Sequence, residues 1–105
     1  MNWSTQQVEA RADEVLVDAY GDYEQLGSFA CVLEELLARP VAASVIGEQV
    51  ELVSVREEGL GLRAKVRRAG RRWDVCLLDL SFGSDIDPDL DLTLEAYRRW
   101  ARGLG

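Results

Sequence analysis

The 105-residue sequence contains no histidine. That removes the one side chain that titrates near neutrality and the usual general base. It also removes the commonest transition-metal ligand, so a zinc or non-haem iron centre is not expected. Cysteine is scarce: Cys31 and Cys76 lie far apart and form no CxxC pair. They read as reduced packing residues, and without histidine a thiol nucleophile has no ordinary base. No apolar run approaches the roughly 20 residues of a membrane span. No signal-peptide pattern is read at the start, so the expected location is the cytoplasm, with no membrane partner. GxSxG, P-loop and GxGxxG patterns are all missing, and an enzyme is not expected.

What the chain has instead is acid. Its formal net charge is -7, against the basic surface that nucleic acid requires, so nucleic acid is not an expected partner. The imbalance is local. Residues 1–38 hold eight acids and one base, Arg11; residues 39–83 hold six acids and eight bases; residues 84–105 hold five acids and three bases. Hydrophobic residues make up 48%, enough for one globular domain, residues 1–105, that folds without a disulfide or metal.

Periodicity divides that domain into three parts. A helical hairpin is expected over 1–39. Its first helix is read from about Ser4, with Gln7 completing a capping box, to Tyr20, on an apolar stripe of Val8, Ala12, Val15, Leu16 and Ala19. Gly21 is read as the C′ residue. Asp22, with Gln25 three residues later, is read as the N-cap of the second helix. Leu26, Phe29, Ala30, Leu33, Leu36 and Leu37 are its buried stripe, with Glu34 and Glu35 facing out, and Arg39-Pro40 closes it.

Antiparallel strands are expected over 41–80. The segments 47–55, 62–68 and 72–80 give three, and 42–46 is a candidate fourth. The stretch 62–68 alternates cleanly, Leu62, Ala64 and Val66 against Arg63, Lys65 and Arg67. A turn is centred on Ala69-Gly70. A short C-terminal helix is expected over 88–103, with Asp87-Pro88 at its start or Thr93 as an alternative cap, and with Leu90, Leu94, Tyr97, Ala101 and Leu104 carrying the apolar stripe. The fold class is therefore α+β, an N-terminal helical hairpin packed on an antiparallel sheet of three to four strands.

Two groups of acids are candidate metal ligands. Asp18, Asp22 and Glu24 crowd the junction of the first two helices. Asp22 and Glu24 are accounted for by capping and the helix dipole. Asp18 is not. In the last turn of a helix it would add charge where unpaired carbonyls already concentrate, and a hard cation would relieve that. The second group is the alternating run Asp85, Asp87, Asp89 and Asp91. It is no EF-hand: counted from Asp85, Leu90 stands where glycine is needed and Ala96 where a bidentate Glu is needed. A surface calcium site or a solvated loop are the readings left open. Arg63, Lys65, Arg67, Arg71 and Arg72 form a basic hairpin face, a candidate anion or protein contact, but no aromatic is interleaved with them on that face.

The segment Val17-Asp18-Ala19-Tyr20 followed by Glu24-Gln25, then Leu33-Glu34 and Pro40, resembles a small bacterial calcium-binding protein family first defined in cyanobacteria, the CcbP-like proteins. Residues 47–53, 67–80 and 95–101 are similar to sequences of the same group. The resemblance implies a helical hairpin on a small antiparallel sheet and calcium binding by surface carboxylates. Asp18 and Glu24 match the family pattern residue by residue, whereas the run from Asp85 to Asp91 is proposed from chemistry alone. The expectation is a non-enzymatic calcium-binding buffer or sensor. The rival is a metal-free interaction module that meets a protein partner through its acidic helical face and basic hairpin face.

Overall fold

The computed structural model describes residues 3–103, so Leu104 of the expected C-terminal stripe lies outside the described residues. The elements run α1 (Thr5–Leu16), α2 (Asp22–Leu36), β1 (Val41–Val45), β2 (Glu48–Glu58), β3 (Gly61–Arg68), β4 (Arg71–Cys76), a 3-10 turn (Leu77–Asp79) and α3 (Pro88–Gly103). The expected α+β class and the fourth strand are both present. The C-terminal helix is not short: at 16 residues it is longer than α1 or α2. No helix among the described residues is long and apolar enough to cross a membrane.

The four strands form an antiparallel meander in the order β1-β2-β3-β4. Two of its turns are two-residue loops with both residues at positive φ, Ile46-Gly47 and Ala69-Gly70. That is the turn whose twist matches paired strands, and glycine fills the second position each time. In β2 the register slips between Leu52 and Ser54, so Val53 is an extra residue opposite β3. The bulge resets the alternation, which lets Leu52 and Val55, three apart, both point into the core. Ser81 then bridges to Ser44 of β1 through two 2.9 Å hydrogen bonds, occupying part of what would be an open sheet edge.

One face of the sheet is covered mainly by α2, through Leu26, Phe29 and Leu33, all fully buried against Leu52, Leu62, Ala64 and Val66. The helix α1 docks more on α3 than on α2. Val8 and Val15 are its buried positions. The two N-terminal helices therefore do not lie side by side on the sheet: α2 rests on it, and α1 packs against α3. At the centre, Phe29 meets Tyr97 edge-on at 5.7 Å, and Trp100 lies 5.6 Å from Phe29 and 6.0 Å from Tyr97. Such aromatic pairs add to the burial of their large surfaces.

The Tyr97 hydroxyl accepts the backbone N–H of Leu62 at 3.0 Å, a buried bond that fixes α3 to β3. Burial raises the pKa of this phenol, partly offset by that hydrogen bond. The Tyr97→Phe protein should lose about 1–3 kcal/mol of unfolding free energy, because a buried N–H is left without a partner. Urea unfolding at neutral pH measures it. The parent's stability should also decline as the pH rises above the ordinary tyrosine range, since a raised pKa favours the folded state only while the phenol keeps its proton. The variant should lack that decline.

Candidate functional site

The junction between α1 and α2 is shorter in helix and richer in turn than the periodicity indicates. The helix stops at Leu16, not Tyr20. Val17 (φ -56, ψ 131) and Asp18 (φ 63) then make the central pair of a turn closed by the Ala19 N–H donating to the Leu16 carbonyl at 3.0 Å. These are the dihedrals of a type II turn, whose third residue needs positive φ and favours Gly or Asn. Asp18 is thus outside the helix, in the left-handed region, with its side chain exposed. Its charge opposes no helical turn of its own. Ala19, counted above as a helical stripe residue, is buried from the turn instead.

The next residues lock the loop onto α2. The Tyr20 N–H donates to Glu24 Oε2 at 2.8 Å. Gly21 (φ 83) is the N-cap rather than the end of α1, and it supplies no side-chain cap. Asp22 is therefore the first residue of α2 and not its N-cap. Gln25 does not complete a capping box: its amide nitrogen donates to the Ala19 carbonyl at 3.4 Å, and its Oε1 accepts the Trp100 indole N–H at 2.8 Å. Asp22 and Glu24 sit in the first turn of α2, where the dipole favours them. Of the three junction acids, Glu24 has one oxygen engaged, while Asp18 and Asp22 make no hydrogen bond or ion pair among the described residues.

Asp22 also stands on the rim of a groove of about 410 Å³ between α1, α2 and α3, with Glu9 and Asp13 of α1. Those two acids were not among the candidates read from sequence. Their spacing of four along one helix was the available signal, since it puts them on one face. Glu9 is already paired with Arg99 of α3 at 2.9 Å.

The alternating aspartates do not converge. Asp87 is the cap of α3: its Oδ2 accepts the Leu90 N–H at 3.1 Å, and Pro88 follows as the first helical residue. Asp89 is gripped by Arg11, whose guanidinium donates to Asp89 Oδ1 and to the Asp89 carbonyl, both at 3.2 Å, and to Thr93 Oγ1 at 2.9 Å. Asp91 Oδ2 accepts the Trp3 indole N–H at 3.0 Å. Asp85 is exposed, beside Gly83. Among the described residues no three acidic or thiol side chains are preassembled around one point. The donors at the helix junction suit a hard cation in kind, being all oxygen, but an ion there would complete its shell with backbone oxygens and water.

Of the basic hairpin face, Arg63, Lys65 and Arg67 are paired with acids of the same sheet, whereas Arg71 and Arg72 make no ion pair among the described residues. Arg56 and Lys65 both reach Asp74, at 2.9 and 3.2 Å; Arg67 pairs with Glu51 at 2.9 Å and Arg68 with Glu48 at 3.2 Å. Hydrogen bonds from Arg56 and Lys65 hold the Asp74 carboxyl below its ordinary pKa. Glu34 is likewise not idle on the surface: its Oε1 accepts the Val55 N–H at 2.6 Å, just past the bulge in β2. The acid that sequence patterning turned outward is a clasp between α2 and the sheet.

No family model matches the chain, and no curated protein matches it in sequence. Two solved structures share its fold. The crystal structure of Anabaena CcbP matches with a TM-score of 0.76 at 18% identity, over 95% of this chain and 93% of that one. A calcium binding protein in the calcium-binding form matches at 0.74 with 21% identity, over 93% of this chain and 92% of that one. The expected CcbP-type architecture is therefore observed across nearly the whole chain.

The hydrogen bonds give the junction residues separable roles in the metal-free protein. Glu24→Ala frees the Tyr20 N–H and should cost about 1 kcal/mol. Asp18→Gly relieves an L-residue of the left-handed conformation and should gain about 0.5 kcal/mol. Thermal and denaturant unfolding in the presence of a chelator measure both.

Proposed function

We propose that this chain is a non-catalytic calcium-binding protein, a buffer or sensor, whose ion is held at the α1–α2 junction by Asp18, Asp22 and Glu24. The observation that carries the reading is the shared fold: it is the architecture of a protein solved in its calcium-binding form. The chemistry of the donors supports it. Calcium takes six to eight oxygens in flexible geometry, from carboxylates, backbone carbonyls and water together. The junction offers the two unpartnered carboxylates of Asp18 and Asp22 and the second oxygen of Glu24, beside a turn whose carbonyls are only partly used. The N-terminal 38 residues, with eight acids to one base, supply the attracting field.

In the aspartate run the candidates divide. Asp87, Asp89 and Asp91 would have to exchange a helix cap, an arginine and an indole for an ion. Asp85 has no such bond to give up. The run is accordingly the weaker of the two sites.

Calcium at about 100 times its dissociation constant should stabilise the fold by about 2.7 kcal/mol. It should raise the melting temperature more than equimolar magnesium, which demands a tighter octahedron and holds its water. Calorimetric titration should find Asp18→Asn weakened about tenfold, a loss of about 1.4 kcal/mol. Asp87→Asn should bind calcium as the parent does. A melting curve unmoved by millimolar calcium would overturn the reading, and unchanged affinity in Asp18→Asn would overturn the placement.

A further inference from the structure

We propose that the groove between α1, α2 and α3 is a docking site for a basic, amphipathic segment of a partner protein. Its floor is apolar, made by Ala12 and Leu16 of α1 and by Trp100 of α3, while its rim carries the carboxylates of Asp13 and Asp22. Arg99 is the only base among the described lining residues, and Glu9 already holds it at 2.9 Å. The rim therefore presents net negative charge beside apolar surface. Two helices also end at this groove: Leu16 is the last residue of α1 and Gly103 the last of α3, and both line it. Helix C-termini carry the negative pole of the dipole, set here against the positive pole that α2 brings with its first residue, Asp22. The apolar floor and the net acidic rim together select one guest chemistry, apolar side chains for the floor and guanidinium or ammonium groups for the rim. The indole of Trp100, half-buried there, adds a face on which a cation can sit.

A peptide fits better than a small cation. The groove is a shallow trough along helices rather than an enclosed cavity, and its acids lie along its edge. That is the arrangement in which a helix lays an apolar stripe into a groove and meets charges at the border. The site shares Asp22 with the calcium reading but does not rest on it. The test is therefore made in a chelator, so that failure of one leaves the other standing.

The probe is a synthetic peptide of leucine and arginine at helical spacing, titrated at physiological salt. The control replaces each leucine with serine at equal charge. The leucine peptide should bind at least about tenfold more tightly than the control, because its apolar side chains leave water. Asp13→Asn should weaken binding about threefold, as removal of one exposed charge contact does. Ala12→Arg should weaken it by about tenfold or more, by filling the floor and adding a positive charge beside the acidic rim. Chemical-shift changes in the parent should centre on Ala12, Asp13, Leu16 and the Trp100 indole. This mapping needs no variant, so it decides the matter even if Ala12→Arg folds poorly. Equal binding of the serine control, shifts centred elsewhere, or no binding at millimolar peptide would each overturn the proposal.

Discussion

The side chain of Gln25 reaches in two directions at once, to the Ala19 carbonyl in the loop after α1 and to the Trp100 indole in α3. Much of the helical layer depends on that bridge. With Glu24 holding the Tyr20 N–H, it fixes the loop on the first turn of α2. Trp100 in turn packs on Phe29 and Tyr97, and Tyr97 is bonded to β3. A polar link at the surface is thus continuous with the centre of the core. The consequence for chemistry is that the backbone around Asp18 and Asp22 is held by other residues' side chains. Their own carboxylates are left free. In the motif formed by Asp18, Ala19, Tyr20, Glu24 and Gln25, three residues serve the loop's structure: buried Ala19, Glu24 and Gln25. Asp18 does not.

Much of this architecture is legible in the sequence because the signals are local. The capping box of Ser4 and Gln7 forms as read, both halves of it. The alternation of Leu62, Ala64 and Val66 places them all in the core, and Ala69-Gly70 turns the chain. Pro88 opens α3 behind its Asp87 cap. Where local pattern and long-range contact compete, the reading fails. The apolar stripe of α1 continues through Ala19, which is buried although the helix has ended, so periodicity overruns the true boundary by one turn. Gln25 stands in capping-box register with Asp22, but an indole 75 residues away takes its oxygen. Glu34 looks outward on a helical wheel, and only the bulge at Val53 brings the Val55 amide to it. The aspartate run reads as four equivalent carboxylates, yet Arg11 and Trp3, 78 and 88 residues distant, engage Asp89 and Asp91, and Asp87 caps its own helix.

Charge is distributed to match. Most of the sheet's bases are answered by its own acids, Asp74 above all, while Arg71 and Arg72 on β4 make no ion pair among the described residues. In the helices, Arg11 serves Asp89 and Glu14, and Arg99 serves Glu9. Of the acids without a partner among the described residues, Asp18 and Asp22 stand where α1 ends and α2 begins and Asp13 lies one turn earlier on α1, while Glu57, Asp79 and Asp85 lie apart from them. A cation of either kind, a divalent ion at the turn or a side chain of a partner in the groove, meets the same unbalanced field. The two guests differ in what else they need: the ion needs more oxygens, and the peptide needs the apolar floor. Because Asp22 borders both, calcium and a basic segment would oppose each other there by simple competition for its charge.

The most direct measurement is a carboxyl-carbon NMR titration of the labelled protein with calcium, which reads each acid separately without a substitution. The side-chain carboxyl signals of Asp18, Asp22 and Glu24 should shift together and saturate along one binding curve, while those of Asp87, Asp89 and Asp91 stay near their metal-free positions. Saturating shifts confined to the residues from Asp85 to Asp91, with the junction acids unmoved, would contradict the account.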